Sequence, residues 1–231
     1  MSDLHISVSG TKRLLTAGKR HDKNIVVTAE GDGHYDAFWD MFQKNGTRTE
    51  YRYAFAYTDW TEEMFKPKYP FKLAGDNTYA FLGVQAVWED KIFEVDTAEA
   101  VNLIWAFRLT KFKRIGKCDL SSATNIQGIF SFCSNLVSIA QIVAHENLVW
   151  HEAFLYSTNL EEVRFSGVIG NSIGFTDCSK LSVASVQSVI DHLKDLTGQS
   201  TQTLTLHATV GIKLTEAQKA AITAKNWTLV Y

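Results

Sequence analysis

Three segments of this chain share one frame. "IFSFCSNLVSI" carries Phe130, Cys133, Leu136 and Ile139. "AFLYSTNLEEV" carries Phe154, Ser157, Leu160 and Val163, and "GFTDCSKLSVA" carries Phe175, Cys178, Leu181 and Ala184. Upstream, "AFRLTKFKRI" sets Phe107, Phe112 and Ile115 in a frame one residue shorter, and weaker echoes begin at Phe81 and Phe55. The phenylalanines fall at 55, 81, 107, 130, 154 and 175. Such a pattern is too irregular for one amphipathic helix and too long for one strand. It predicts a unit that is used many times.

The spacing lies in the range of roughly 20–29 residues expected of leucine-rich repeats, in which each coil is a short strand, a turn and a return segment. A lone coil cannot bury its apolar side; stacking sets Phe on Phe and Leu on Leu. The expected ladder is Phe107, Phe130, Phe154 and Phe175, with Leu136, Leu160 and Leu181, and with Ile139 and Val163. Cys133, Ser157 and Cys178 form a rung of small, weakly polar side chains within it, and burial predicts a structural role for both thiols. Asn135 and Asn159 are expected to turn the chain by bonding local backbone groups. The frame resembles the BspA-like leucine-rich repeats of bacterial and phage surface proteins, well over residues 100–184 and poorly over 50–99. That resemblance implies an α+β chain built around a short, irregular solenoid.

Four regions follow: an N-terminal β-hairpin arm (1–30), a helix and connector (31–75), the repeat region (76–181) and a C-terminal αβαβ cap (182–231). In the arm, strands are expected at "RLL" and "NIVVTAE", joined around Ala17, Gly18 and Lys19. "HYDAFWDMFQKNG" puts Tyr35, Phe38, Trp39 and Phe42 on one helical face and ends at Gly46. "FKPKYPF", with the chain's two prolines, reads as an extended connector. In the cap, Val183, Val186, Ile190, Leu193 and Leu196 recur at helical spacing between Ser182 as N-cap and Gly198 as stop. "TQTLTLHA" is a strand, "LTEAQKAAITAKN" a helix capped by Thr215, and "WTLVY" a last strand; the two strands are expected to extend the repeat sheet.

Both termini carry a sharper resemblance. "GTKRLLTAGKRHDKNIVV", "YDAFWDMFQKNGTRTEYRYAFAYTDWTEEMFKPKY", "FSGVIGNSIGF", "LSVASVQSVIDHL" and "AITAKNWTLVY" resemble segments of tail-associated proteins of phages and prophages of Firmicutes. The resemblance covers most of the chain and implies a virion or tail structural protein, or a leucine-rich surface protein.

The residues point to little chemistry. With 23 basic and 25 acidic residues, the chain has no general attraction for nucleic acid or anionic lipid. No apolar run approaches the ~20 residues that span a bilayer. The start lacks a secretory signal, so synthesis in the cytosol is expected. Three cysteines, Cys118, Cys133 and Cys178, and no CxxC pair argue against a disulfide framework or a zinc knuckle. In "HENLVWHE", His145 and His151 sit six apart, not at the helical zinc spacing of four, and as a strand they would be too far apart for one ion; a solvent-facing strand end is the preferred reading. "KFKRIGK" reads as a solvated face and "GVIGNSIG" as a tight corner between coils. "GDG" (Gly31–Gly33) is too short to specify calcium. Of the tryptophans, Trp39, Trp105 and Trp227 are assigned to the core, while Trp60, Trp88 and Trp150, among polar neighbours, are the interface candidates.

The expectation is a non-enzymatic tail or baseplate component without cofactor or metal, contacting other virion proteins or a host-envelope receptor. Self-association through the N-terminal arm is the expected oligomeric contact. The alternative is a bacterial adhesion module of prophage origin.

Overall fold

The computed structural model describes residues 4–8, 11–15, 39, 43, 46–58, 67, 69–85, 89 and 91–231. They form a mixed α/β structure of short helices and small, mostly parallel sheets, none of which closes into a barrel. Trp60 and Trp88 lie outside the described residues, as do 16–30, Tyr35, Phe38 and Phe42.

At the N-terminus, β1 (Leu4–Val8) pairs antiparallel with β2 (Thr11–Leu15). Arg13, Leu14 and Leu15 pair with the segment before them, and the expected partner strand "NIVVTAE" lies outside the described residues. Alternation in "LHISV" was the available signal. Trp39 and Gln43 are helical, and Gly46 follows with φ +81°, the left-handed geometry that ends helices.

Five strands then run parallel along one wall. β3 (Lys72–Asp76) pairs with β4 (Asp96–Asn102). β5 (Arg114–Asp119), β6 (Ser138–Ala144) and β7 (Glu162–Gly167) form a separate sheet. Alternation of apolar and polar residues drives each strand: Ile115, Ile139 and Val163 lie in register and point inward. β5 meets the chain at Phe93, whose N–H donates to the Arg114 carbonyl at 2.9 Å. Beyond that point the Thr97 hydroxyl replaces a strand neighbour, accepting from Asp119 N–H at 2.7 Å and donating to its carbonyl at 2.8 Å.

Opposite the strands is a wall of turns centred on Phe55, Phe81, Phe107, Phe130 and Phe154. Their backbone amides alternate in use. The N–H groups of Phe55, Phe81, Phe107 and Phe130 donate to carbonyls one pass further on, those of Ala80, Ala106, Ile129 and Ala153, at 2.7–3.0 Å. The residues before them, including Ala80, Ala106 and Ile129, donate three residues back within their own turn. Every second amide thus links passes and every other one closes a turn, which satisfies a buried backbone without regular strands.

β8 (Ile173–Phe175) continues this wall. It pairs in parallel with β9 (Gln202–Leu206), and β9 with β10 (Trp227–Val230). The two C-terminal strands therefore extend the turn wall through β8 and do not join β5–β7. β7 meets α1 (Val183–His192) instead. There Ser185 and Ser188 turn their hydroxyls to the sheet edge and accept from Val163 N–H at 3.0 Å and Phe165 N–H at 2.8 Å. Ser182 caps α1 as expected, but the helix stops at His192; Leu193 turns extended and bridges to Ile169. A short α2 (Ala208–Gly211) precedes α3 (Glu216–Ala224), whose Thr215 and Gln218 form a capping box. Among the described residues no helix is long and apolar enough to cross a membrane.

Candidate functional site

The site is built outward from the phenylalanine column. Phe55, Phe81, Phe107, Phe130, Phe154 and Phe175 lie face to face, with centroids 5.3, 5.3, 5.5, 5.8 and 4.6 Å apart. Leu136, Leu160 and Leu181 are buried, and each donates its N–H to the carbonyl of the Cys or Ser three residues back. The polar rung has a defined use. Cys133 Sγ donates to the Phe107 carbonyl at 2.9 Å, Ser157 Oγ to Phe130 at 2.6 Å, and Cys178 Sγ to Phe154 at 3.8 Å. Each ties one pass to the one before it.

Burial pushes the Cys118 thiol up to about 12, Cys133 to about 11 and Cys178 to about 12. A raised thiol pKa means that the unfolded chain loses its protons first as pH rises. Their stabilising contribution is intact below the ordinary thiol range. Between there and pH 11–12 it falls by up to about 1.4 kcal/mol per pH unit for each thiol. Urea unfolding at pH 8 and pH 10 should show this decline, and Cys133→Ser should flatten it. A thiol reagent should find no reactive cysteine in the folded chain at pH 8.

On the outer side of the same turns lies a row that the sequence reading did not single out. Two residues before and two after Phe55, Phe81, Phe107, Phe130 and Phe154, the backbone is left-handed. Tyr53, Tyr57, Tyr79, Trp105, Leu109, Phe132, Glu152 and Tyr156 have φ between 52° and 60°. For bulky residues this conformation costs roughly 1–2 kcal/mol each. Gly83 and Gly128 occupy two equivalent places, where a Cβ would strike the rings of Tyr57 and Trp105.

The aromatic members meet along the row. Tyr53 stacks on Tyr79 at 4.4 Å, and Tyr79 meets Trp105 edge-on at 5.0 Å. The Arg108 guanidinium lies 4.7 Å from the Trp105 ring and 4.6 Å from the Phe132 ring, and Phe132 meets Tyr156 at 4.8 Å. Burial, and then the adjoining Tyr53 phenol, hold the Tyr79 hydroxyl above its ordinary pKa. Tyr53 is 41% exposed and Tyr156 51%. At the Tyr156 end the row opens into a shallow depression of about 440 Å³, lined by His151, Glu152, Thr176 and Asp177 among others. The Asp177 carboxylate accepts from Tyr156 N–H at 2.9 Å.

Several sequence-based assignments change. Trp150 is buried at 4% exposure and packs at 6.3 Å from Phe154, so it is no interface residue; its polar neighbours His151 and Glu152 point outward while its ring turns in. Trp105, assigned to the core, is half-buried in the outer row. Trp39 and Trp227 are buried as expected. Residues 145–152 form turns and not a strand end, and the His145 ring bonds the Ala123 carbonyl at 2.8 Å. Asn159 reaches across to the Ser134 carbonyl of the neighbouring pass and does not bond its own turn; Asn135 accepts from the Ser134 hydroxyl. In the basic run, Lys113 pairs with Glu89 and Lys117 with Asp119. Among the described residues no group of three or more His, Cys, Asp or Glu is placed to hold a metal ion. The signal for the outer row was positional: both flanking places are aromatic at Phe55, only Phe −2 at Phe81 and Phe107, and only Phe +2 at Phe130 and Phe154.

Comparison with family models, with curated proteins and with solved structures finds no match.

Proposed function

We propose that the chain is a non-enzymatic component of a phage tail or baseplate, a short BspA-like leucine-rich-repeat solenoid that recognises protein or host-envelope partners. The observation that carries the recognition reading is the outer row of Tyr, Trp and Phe side chains held at left-handed positions, with Arg108 lying against the Trp105 and Phe132 rings. Tyr, Trp and Arg are the residues that dominate binding energy at protein interfaces. Strained backbone in such a row is the kind of feature that accompanies binding sites. The particle setting rests on the tail-protein resemblance of both ends of the sequence. In this reading the ring column and the two walls set the shape, and the surface outside them is free to vary with the partner. The N-terminal arm docks the chain on its neighbours in the particle.

Negative-stain images of particles labelled with gold-bound antibody to this chain test the setting. Label at the tail or baseplate is the expected result. Label confined to the bacterial envelope favours the adhesion module, and purified particles free of label overturn the virion role.

A further inference from the structure

We infer that Tyr53 and Tyr79 form an oxidative cross-linking site. Hydrogen peroxide, acting through a haem peroxidase, joins the two phenols there as dityrosine and bonds the turns of Phe55 and Phe81 to each other. The site does not depend on which partner the outer row recognises.

The first observation is the ring geometry. Tyr53 lies over Tyr79 with centroids 4.4 Å apart and ring planes 18° from parallel. Two phenoxyl radicals couple from such a face-to-face pair, because the new bond grows out of each ring plane. The backbone holds the pair in register: Tyr53 N–H donates to the Thr78 carbonyl at 3.1 Å, and Tyr79 N–H to the Ile104 carbonyl at 2.9 Å. The rings therefore meet without a search, which raises the effective concentration of one for the other.

The second is access. Tyr53 is 41% exposed and Tyr79 is half-buried, so the oxidant meets Tyr53 first. The two phenols share a hydrogen bond. Arg52 lies 5.9 Å from the Tyr53 ring and disfavours a positive charge on it, so the electron leaves together with the phenol proton. A radical on Tyr53 exchanges with Tyr79 across the contact, and Tyr53 is then oxidised again.

The third is selectivity. Tyr57 is nearly as exposed, at 37%, but the matching place on the next pass is Gly83, which lies under its ring and offers nothing to couple. Tyr156 meets Phe132, which has no phenol. Tyr51 is fully buried, with its hydroxyl donating to the Arg48 carbonyl at 2.9 Å.

The step balances. Each phenol gives up one electron and one proton, and a bond forms between one ortho carbon of each ring. The hydrogen on each coupled carbon then moves to the oxygen of its own ring, which restores both aromatic rings and both hydroxyls. The pair has lost two hydrogen atoms, and the peroxide is reduced to two waters.

Oxidation of the full chain by peroxidase and limiting peroxide tests the site, at roughly 1 µM so that coupling between chains is suppressed. Tryptic mapping by tandem mass spectrometry should find the Tyr53 and Tyr79 peptides joined, lighter by two hydrogens, in a product of single-chain mass. Tyr53→Phe and Tyr79→Phe should each lower the yield of that product by about tenfold or more, and Tyr57→Phe should leave it unchanged. Unfolding the parent in urea before oxidation should abolish the preference for this pair. The link is located in the parent itself, so the result does not hang on the folding of a variant. Tyr53 and Tyr79 left unjoined while free tyrosine in the same solution is coupled would overturn the site. So would a joined product undiminished in either of those two variants, or a preference that survives unfolding.

Discussion

Replacing Phe130 by Ala is expected to cost about 3–5 kcal/mol of folding free energy. Phe130 is fully buried, with Phe107 on one face at 5.5 Å and Phe154 on the other at 5.8 Å. Removing the ring strips two neighbours of a partner at once. The hole cannot close, because the backbone on each side is pinned: Phe130 N–H donates to Ala153, and its carbonyl accepts from the Ser157 hydroxyl. Interiors packed this tightly relax only in part around a deletion. Urea unfolding gives the number. Phe132→Ala, on the outer side of the same turn, is the matched control and should cost less than half as much. A loss below about 1 kcal/mol for Phe130→Ala would mean that the column does not hold the passes together.

Gly167→Ala is the second large effect, expected at about 2–4 kcal/mol. Gly167 ends β7 with φ +78°, where any Cβ is strained. It also lies opposite Ala144 on β6, and an added methyl group would fall against the Ala144 carbonyl oxygen. That atom is backbone, not the end of a flexible side chain, so the strand pair itself must part. The Ala144 carbonyl already accepts from Val168 N–H, and parting the pair breaks that bond too. Thermal unfolding compares the variant with Gly198→Ala. Gly198 has nearly the same φ, +77°, but nothing within 4 Å of the new methyl group, so it isolates the conformational cost. Equal losses at the two sites would show that the close approach to Ala144 contributes nothing.

The buried column was legible in its last three units, where three residues separate Phe from Cys or Ser and three more reach Leu, and fainter upstream, where that frame is lost. Both cap helices were legible from Ser182 and Thr215, whose side chains accept from the amides three residues on. What escaped was set by tertiary pairing. Nothing local says that β9 should join β8 and not β7. The end of α1 at His192 depends on Leu193 bridging to Ile169, far off in sequence, and the helical period of Leu193 and Leu196 gives no warning of it. Trp150 was judged by its polar neighbours, although a turn can send adjacent side chains in opposite directions. The outer row was hidden because left-handed positions have no residue signature when Tyr, Leu and Glu occupy them as readily as Gly.

The gap in the strand wall between β4 and β5 has a mechanical consequence. The turn wall passes that point without a break, since Phe81, Phe107 and Phe130 stay stacked and their amides stay linked. On the strand side, the described residues bridge the same point by the pairing at Phe93, by the Thr97 hydroxyl, and by Thr124 and Asn125 N–H donating to the Val101 carbonyl, without a regular ladder between β4 and β5. Like a bound volume, the molecule has a spine and a fore-edge. The spine carries one uninterrupted column and amide ladder past the interruption, so the spacing of neighbouring turns is set there and not by the strand edge.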